Sequence, residues 1–411
     1  MHMTVIDSAI TDTLPSHVPA NLVKAVDYNN DPALKIDPYL ALAPLHDGPP
    51  IFWNPLNIRH NGLGTWDVPR ASYMREILAD QATFSSKNCA GFSALIGESW
   101  LMTPLEIDPP DHSFYRNFLN PLFSPVAVKK MDERIQKRAQ DLIDGFKDRG
   151  HCEFITEFAR PFPIAIIMQL LGLPIEELDM FIDWGQRLLH GESLEVKAQA
   201  ANEIHIYLKD RIAEKRRNPQ DDFISYICKT EVDCRKLNDD ECMGICYLMF
   251  VGGLDTVASS LGFQFHHLAS HPEHRKYLIE NPKKIPAAVE EYLRRFSSVM
   301  TARQVTTDVD FHGVTMKAGD WITLVQASTS IDPLEHENPM EVDFERRHRH
   351  LAFSFGPHFC LGSHIGRREL NVALEKILVQ LPNLRIKPDS SVITHGGAVF
   401  GVAHLELEWD S

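Results

Sequence analysis

Residues 351–362 read LAFSFGPHFCLG, and a pattern typical of a helix follows them from His364 to Leu374. The stretch places Cys360 in a tight loop that contains glycine and proline, directly before that helix. Because the N-terminal N–H groups of a helix stabilise negative charge, a cysteine at this position is favoured as a thiolate. The stretch therefore predicts an anchored thiolate, which is how a protein presents a ligand to haem iron.

Two other interpretations of Cys360 stay open from the residues alone. A lone cysteine in an intracellular protein is most often a small buried hydrophobe. Three histidines lie nearby in the sequence, His348, His350 and His358, and histidine together with cysteine also suggests zinc. Zinc sites usually carry paired ligands, such as Cys-x2-Cys or two histidines on one helix, and neither spacing occurs around Cys360.

The composition is that of an ordinary globular protein with an acidic bias. Of 411 residues, 44% are hydrophobic and 24% charged, and the formal net charge is −15. This balance does not favour nucleic-acid binding. Seven cysteines without paired spacing fit a reducing compartment. With neither a signal-peptide pattern nor eighteen consecutive apolar residues, we expect a cytoplasmic protein that does not cross a membrane, with a monomer as the default state.

Hydrophobic periodicity predicts a mainly α fold with a minor β part. We expect residues 1–35 to form a surface arm and residues 36–411 a single domain. A hairpin is predicted within residues 49–68, with a helix after it from Pro69 to Ala79. A long interior helix is predicted over about 239–269, with a strand, turn and strand over 310–325 that turn at Gly319 and Asp320.

The long helix contains the run Gly252-Gly253-Leu254-Asp255-Thr256. Each of two adjacent glycines inside a helix costs about 1 kcal/mol relative to alanine, so the pair needs a compensating role. Glycine lets a flat cofactor approach the backbone closely, and the Thr256 hydroxyl can bond back to the Gly252 carbonyl and loosen the helix. Asp255 can then relay protons. The alternative is helix packing through small residues.

Two acid–base pairs with helical spacing are further candidates. His112 and Arg116 share a helix face and suit an anionic group such as a carboxylate. A structural histidine beside a surface arginine is the alternative. Glu291 and Arg294 lie one turn apart, which usually means an exposed pair of small energetic value.

Taken together and in this order, these residues with Arg303 and the Cys360 loop resemble a cytochrome P-450 monooxygenase. The resemblance spans residues from about 50 to Trp409. The local sequences VGGLDTV (251–257), PEHR (272–275) and FHGV (311–314) are most similar to the bacterial camphor hydroxylase group. The resemblance implies a triangular helical prism that encloses haem.

The resemblance also assigns roles to individual residues. Cys360 becomes the proximal ligand of haem b, while Asp255 and Thr256 deliver protons for oxygen activation. Glu291 and Arg294 become a buried structural pair behind the haem. The residues implied to hold the cofactor are His112, Arg116, Gly252, Gly253, Arg303, Phe353, Gly356 and His358, together with Cys360.

Two departures from the family pattern bear on the loop and on the substrate. Ser354 follows Phe353 where the family usually has glycine, which makes the turn less permissive. Trp100 stands where the camphor enzymes carry a tyrosine; an indole N–H donates a hydrogen bond but is bulkier and differently aimed. The predicted substrate-binding residues are nearly all apolar: Phe92, Trp100, Leu248, Val251, Val299, Ala398 and Val399. They predict a compact terpenoid substrate, either a monoterpenoid such as 1,8-cineole or camphor, or a norisoprenoid such as an ionone.

Electrons must come from another protein, because the sequence has no flavin or pyridine-nucleotide segment. The resemblance implies a [2Fe-2S] ferredoxin and its reductase. An acidic ferredoxin is expected to dock on the cysteine side at a basic group formed by Arg75, Arg116, Arg347, Arg367 and Arg368. Two alternatives are a peroxide-driven haem-thiolate enzyme, which tends to lack the Asp-Thr pair, and a non-enzymatic haem or ligand-binding protein.

Overall fold

Helices form most of the protein in the computed structural model, which describes residues 14–59, 62–232, 235–347 and 349–410. The helices are α1 (Pro38–Leu42), α2 (Ala71–Ala79), α3 (Phe92–Leu95), α4 (Asp111–Leu119), α5 (Pro125–Asp144), α6 (Pro161–Leu171), α7 (Leu178–His190), α8 (Leu194–Arg217), α9 (Phe223–Lys229), α10 (Asp239–Leu254), α11 (Thr256–Ser270), α12 (Pro272–Glu280), α13 (Ile285–Arg295), α14 (Gln326–Thr329) and α15 (Ser363–Gln380). The mainly α prediction is confirmed.

Short strands make up the minor β part. They are β1 (Phe52–Asn54), β2 (Thr65–Val68), β3 (Phe84–Ser85), β4 (His151–Glu153), β5 (Glu231–Val232), β6 (Arg235–Lys236), β7 (Met300–Val305), β8 (Val309–Phe311), β9 (Val314–Met316), β10 (Trp321–Val325), β11 (Arg385–Ile386), β12 (Ile393–His395), β13 (Gly401–His404) and β14 (Glu406–Glu408). The largest sheet has the order β1-β2-β10-β7-β3. Its strands are antiparallel except for the parallel pair β2 and β10.

The predicted hairpin within residues 49–68 is formed by β1 and β2, with Trp53 opposite Trp66. The segment 310–325 differs from the prediction, because it contains three strands. The tight turn lies at His312 and Gly313, where both residues have positive φ (51° and 80°), as a two-residue hairpin turn requires. Gly319 lies instead in the connection from that hairpin to β10, a strand of the main sheet.

The long interior helix begins where the sequence predicts but is interrupted. The Asn238 side chain accepts a hydrogen bond from the Glu241 N–H, and the Glu241 side chain accepts one from the Asn238 N–H, which forms a complete capping box. At Asp255 the backbone leaves the helical conformation (φ −130°, ψ −26°), which divides the helix into α10 and α11. The Thr256 hydroxyl donates to the Gly252 carbonyl at 3.0 Å, which diverts that carbonyl from the helical hydrogen-bond pattern.

Together, α10 and α11 (Asp239–Ser270) are long and apolar enough to cross a membrane, with a mean hydropathy of 1.5 in their most apolar window. This criterion averages hydropathy over a window and differs from a run of eighteen consecutive apolar residues, which the sequence lacks. However, 72% of that window is buried inside the protein. A mostly buried apolar helix is typical of the centre of a protein core, where most of its surface packs against other elements.

The N-terminal segment packs more closely than a surface arm would. Residues 1–13 lie outside the described residues, but Val18, Tyr28 and Leu34 are buried. The segment is also held by backbone contacts to β1, since Val23 forms a parallel bridge with Trp53. From residue 14 onward, the predicted arm therefore contributes to the core, because its apolar residues cover one edge of the main sheet.

Candidate active site

The loop that carries Cys360 is closed by backbone hydrogen bonds and shaped by two left-handed residues. The Cys360 N–H donates to the Phe353 carbonyl at 2.9 Å, and the Ser354 N–H donates to the Leu351 carbonyl at 2.8 Å. Ser354 and Gly356 have φ values of +62° and +69°. A Cβ atom on Gly356 would lie 2.7 Å from the carbonyl oxygen of Leu78, so only glycine fits that position.

The surroundings of the Cys360 sulfur act on its charge in opposite directions. Burial raises the pKa of the thiol, while the Gly362 N–H and the cations Arg116 and Arg367 act to lower it. The sulfur lies deep in the protein and stays partly accessible because it lines a cavity. The backbone donor and both arginines favour a negative sulfur, as a metal-ligating thiolate requires.

A cavity of about 340 Å³ lies between this loop and the interrupted helix. Its wall contains most of the residues that the sequence predicted for the site, although those residues come from widely separated parts of the chain. The predicted residues that line it are His112, Arg116, Leu248, Gly252, Gly253, Thr256, Val299, Arg303, Phe353, His358 and Cys360.

The two glycines of the interrupted helix differ in their surroundings. A Cβ atom on Gly252 would meet nothing within 4 Å, so its backbone faces open cavity. A Cβ atom on Gly253 would lie 2.2 Å from Cγ1 of Ile167, so this glycine is required by packing against α6. Each of the two interpretations therefore applies to one glycine: close approach of a cofactor to Gly252, and helix packing to Gly253. Gly252 offers a bare, flat face to a cofactor.

Cationic side chains gather at one edge of the cavity. Arg303 is 1% exposed, and its Nε has no hydrogen-bond partner. The Nε2 atom of buried His112 is likewise without a partner, and its ring lies 4.3 Å from that of His358. Half-buried Arg116 donates to the Phe359 carbonyl at 2.8 Å. Within the described residues, neither Arg303 nor Arg116 forms an ion pair with a carboxylate.

This edge requires negative charge from a ligand. Burial, followed by the nearby Arg303, His112 and Arg116, lowers the pKa of His358 to about 2. Burial and Arg116 lower the pKa of His112 to about 4. A buried arginine is normally neutralised by an anion, so the unpaired Arg303 and the orphaned His112 Nε2 fit the two carboxylates of a haem.

Asp255 lies beside the cavity but does not line it. Its Oδ2 lies 3.0 Å from Nε2 of His190 at the end of α7, and the carboxylate is 8% exposed. Burial alone would raise the pKa of Asp255, but the hydrogen bond and charge of His190, with His395 and Arg160, outweigh burial and lower it. The neighbouring Thr256 does face the cavity. The predicted acid–alcohol pair is therefore divided between the outer and inner sides of the helix.

The predicted structural pair is enclosed in the protein interior. Arg294 and Glu291 are both fully buried, with 2.7 Å between Nη2 and Oε1. Arg294 Nη1 also donates to the carbonyls of Ser330 and Pro339. The pair thus holds the chain that follows α14 against α13, rather than forming an exposed helix pair.

Only part of the predicted substrate pocket lines the cavity. Leu248 and Val299 do, whereas Phe92, Trp100, Val251, Ala398 and Val399 do not. Ala398 and Val399 pair through their backbones with the start of β7, since Val399 is bridged to Val299 and the Ala398 carbonyl accepts from the Met300 N–H. Trp100 packs against Tyr247, with 4.6 Å between ring centroids, so its indole is engaged in the core.

Several residues of the site are absent from the sequence prediction. Glu369 lines the cavity, is 2% exposed and has no partner for Oε1; burial raises its pKa to about 8. Gly362, Ile365, Gly366, Glu369 and Leu370 all line the cavity, and their helical spacing after Cys360 was the available signal. By contrast, Leu105, Phe123, Ile167 and Leu293 reach the cavity from distant segments and carry no local signal.

The zinc alternative is not supported by the geometry. Among the described residues, no group of three or more histidine, cysteine, aspartate or glutamate side chains is placed to hold a metal ion. His350 instead lies 3.2 Å from Glu290, and His358 lies 3.1 Å from the Ser86 hydroxyl. His348 lies outside the described residues.

A cysteine in a closed loop, a bare helix backbone across the cavity and an unpaired cationic edge fit a haem-thiolate site. Comparison with known proteins gives the same class. Residues 164–393, more than half of the chain, match the family described as Cytochrome P450. The chain belongs to the cytochrome P450 family, and it is an oxidoreductase whose haem iron is bound by a cysteine thiolate.

Relatives and solved structures cover nearly the whole chain. A probable cytochrome P450 127A1 from Sinorhizobium fredii is 37% identical over 406 residues, which are 97% of each protein. The crystal structure of cytochrome P450 CYP101C1 matches with a TM-score of 0.86 and 32% identity, over 97% of this chain and 100% of that one. A steroid C26-monooxygenase from Mycobacterium tuberculosis is 33% identical over 298 residues, 70% of this chain and 80% of that protein.

Proposed function

We propose that this P450 monooxygenase hydroxylates a small apolar terpenoid, using O2 and electrons from a [2Fe-2S] ferredoxin with its reductase. The substrate is a monoterpenoid such as 1,8-cineole or camphor, or a norisoprenoid such as an ionone. The observation that supports this proposal most directly is the cavity. Its wall between Cys360 and Gly252 is mainly apolar outside the cationic edge.

The lining of the cavity favours a compact hydrocarbon, because ligand sites of this kind combine a mainly apolar wall with a few polar groups. The wall away from the cationic edge is formed by apolar side chains such as Leu248, Met249 and Val299. Thr301 and Gln326, which also line the cavity, provide a few polar groups for a substrate with one or two hydrogen-bonding oxygens.

Haem supplies the iron at which oxygen is activated, and the protein supplies the surroundings. Cys360 would bind the iron, and Arg303, His112, His358 and Arg116 would hold the carboxylates. Thr256 lines the same cavity, at the interruption of the helix, where its hydroxyl donates to the Gly252 carbonyl. We propose that Thr256 passes on protons that Asp255 receives. This Asp-Thr pair favours the O2-dependent reaction over a peroxide-driven one.

The substrate proposal is tested by titrating the ferric holoenzyme with 1,8-cineole, camphor and β-ionone, and with a C27 steroid as the larger comparison. Each ligand is followed by its effect on the haem absorbance. A low-to-high spin shift with a terpenoid but not with the steroid supports the proposal, because the ligand then displaces water from the iron. A spin shift with the steroid alone would contradict the terpenoid proposal and would favour a steroid substrate, as in the name of the mycobacterial relative.

The proposed ferredoxin site combines exposed aromatic and basic groups on the cysteine side. Three of the expected arginines are already paired: Arg75 with Glu335, Arg367 with Glu290, and Arg368 with Asp132. That pairing reduces their net attraction for an acidic protein. Exposed Arg347 has no carboxylate partner among the described residues, Arg116 reaches this loop through the Phe359 carbonyl, and Phe355 and Phe359 are 42% and 40% exposed on it. We propose that these four side chains form the main contact.

Charge reversal at Arg347 tests this contact without touching the haem pocket. Replacing Arg347 by Glu is expected to slow reduction by ferredoxin roughly threefold to tenfold at low salt, with the difference disappearing at high salt. Lys209→Glu is the matched control, because Lys209 is exposed on α8, which packs against α7 and α10. Equal effects of the two variants would argue for a general charge effect and against this contact.

We further propose that the enzyme is cytoplasmic and monomeric, with a single haem domain to whose core the residues from 14 onward also contribute. The acidic composition and the burial of the apolar helix Asp239–Ser270 support a protein that does not enter a membrane. A sedimentation measurement on the holoenzyme tests the monomer, and a single sharp boundary at twice the monomer mass would refute it.

A further inference from the structure

The acid of the interrupted helix is connected to the surface through one histidine. His190 is the last residue of α7, and its side chain is 22% exposed. Its Nε2 lies 3.0 Å from Oδ2 of Asp255, which is 8% exposed. An imidazole at this position contacts water and the buried carboxylate at once, while Asp255 adjoins Thr256 at the cavity.

From this geometry we infer that His190 is the proton-entry residue of the enzyme. A protonated His190 transfers the proton on Nε2 to Oδ2 of Asp255, and both groups become neutral. The imidazole then regains a proton from water. Asp255 passes its proton toward Thr256 and returns to the carboxylate, so each cycle moves one proton inward and leaves both residues unchanged.

The chemistry of imidazole suits this role better than that of other basic side chains. Imidazole gains and loses protons near neutral pH, whereas a guanidinium group holds its proton throughout the physiological range. With histidine at position 190, the residue that contacts Asp255 can transfer a proton to it. An arginine at the same position would only place a positive charge beside the carboxylate. Asp255 also lies where the chain leaves helical geometry, so its side chain is attached at a locally loosened point.

Other charged groups face the His190–Asp255 pair from neighbouring elements. The His395 ring of β12 lies 4.5 Å from the His190 ring, edge to face, and its Nδ1 lies 2.9 Å from the Gly396 carbonyl. Arg160, before α6, acts on both Asp255 and His395. Burial, followed by the charge of His190, lowers the pKa of His395. A guanidinium such as that of Arg160 holds its proton throughout the physiological range, so among these groups the partly exposed His190 imidazole is the one placed to carry a proton from water to Asp255.

Two substitutions separate proton entry from simple anchoring. His190→Arg keeps a cation and a donor for Asp255 but does not exchange protons near neutral pH, and His190→Gln keeps only a donor. Since His190 acts through Asp255, we classify it as a positioning and relay residue. His312→Asn is the matched control, because His312 also pairs with a carboxylate, Glu76 at 2.8 Å, on the β8–β9 hairpin.

The first measurement uses the holoenzyme, ferredoxin and whichever terpenoid of the titration panel shifts the spin state, and therefore rests on the proposed function. Both His190 variants are expected to form product roughly tenfold more slowly, with electrons diverted to hydrogen peroxide and a larger solvent deuterium isotope effect. The spin-shift affinity is expected to stay unchanged. If His190→Arg matches the unaltered enzyme in product per electron pair and in isotope effect, His190 is an anchor and the inference is wrong.

A second measurement needs no substrate and so remains decisive if the terpenoid proposal fails. The Asp255 carboxyl is followed by 13C NMR against pH in the diamagnetic ferrous carbonyl holoenzyme. Because His190 helps to lower the pKa of Asp255, His190→Gln is expected to move the Asp255 midpoint to higher pH, with no such movement in His312→Asn. An unchanged midpoint in His190→Gln would show that the two residues are not coupled and would overturn the relay.

Discussion

The backbone N–H of Cys360 donates a hydrogen bond to the carbonyl oxygen of Phe353 at 2.9 Å. This bond joins the two ends of the cysteine loop and fixes the position of the sulfur relative to the cavity. Ser354, the residue directly after Phe353, has to adopt a left-handed conformation to close the loop. The position of the Cys360 sulfur therefore depends on Ser354, whose left-handed backbone conformation is unfavourable for a residue with a side chain.

Replacing Ser354 by glycine is expected to stabilise the protein by about 0.5–1 kcal/mol, because glycine adopts positive φ without the steric cost of a side chain. The free energy of unfolding in urea measures the change. Ser354→Ala keeps the Cβ atom and is expected to give no gain. A loss of stability in Ser354→Gly would show that the serine side chain contributes more than its backbone conformation costs.

The two glycines of the interrupted helix are expected to respond in opposite ways to alanine. Gly252→Ala should raise the stability of the haem-free protein by about 0.5–1 kcal/mol, because the added methyl meets no protein atom and alanine favours a helix. Gly253→Ala should lower it, because the methyl would collide with Ile167.

Haem affinity is the second property to measure in the Gly252→Ala and Gly253→Ala variants. Gly252→Ala is expected to weaken haem affinity, measured by haem transfer to apomyoglobin, since its methyl enters the cofactor space. Unchanged haem affinity in a stabilised Gly252→Ala protein would contradict the assignment of that face to the cofactor.

Arg303 is expected to hold haem through its charge. Arg303→Met should speed haem loss roughly 10- to 100-fold, which corresponds to one or more hydrogen bonds to a charged group at about 1.5–3 kcal/mol each. The rate of transfer to apomyoglobin measures it. Arg295→Met is the control, because Arg295 is also buried but donates to the Met340 carbonyl away from the cavity. Haem loss at the same rate from both variants would contradict the assignment.

Glu369 is expected to make stability fall as the pH rises. Burial raises its folded-state pKa to about 8 from an ordinary value of 4.5. Its contribution is therefore fully present below the unfolded pKa of 4.5 and is lost as the pH rises through about 8.

Glu369→Gln removes this dependence and should be more stable than the unaltered holoenzyme near pH 9 but not near pH 5, as measured by urea unfolding. Exposed Glu375→Gln on the same helix is the control. Parallel stability curves for Glu369→Gln and the unaltered enzyme would show that Glu369 ionises normally in the folded state.

The parts of the site that the sequence predicted are those with short-range patterns. The cysteine loop and the Gly252–Thr256 run combine several unusual residues within a few positions, so their backbone roles follow from local chemistry. The hydrogen bond from Thr256 to Gly252 is one example. The predicted local loosening at this place is confirmed, but the full division into two helices at Asp255 goes beyond it, because helical periodicity continues on both sides.

Long-range contacts explain what the sequence left out. His190 and Asp255 are 65 positions apart, and nothing in the α7 sequence marks its final residue as a partner of the acid. Trp100 was predicted to contact the substrate. In the structure its ring packs against the ring of Tyr247 in the core instead. Ala398 and Val399 pair through their backbones with Val299 and Met300, and only Val299 of these lines the cavity. Such outcomes depend on packing between segments, which periodicity does not describe.

The most direct test of the account is the absorbance of the ferrous carbonyl complex, compared between the unaltered protein and Cys360→His. A cysteine thiolate shifts the main haem band strongly to longer wavelength in this complex, while a histidine or water ligand does not. We predict the thiolate band in the unaltered protein and its loss in Cys360→His, with haem still bound in the cavity. A thiolate band that persists without Cys360, or its absence from the unaltered protein, would contradict the assignment of Cys360 as the iron ligand.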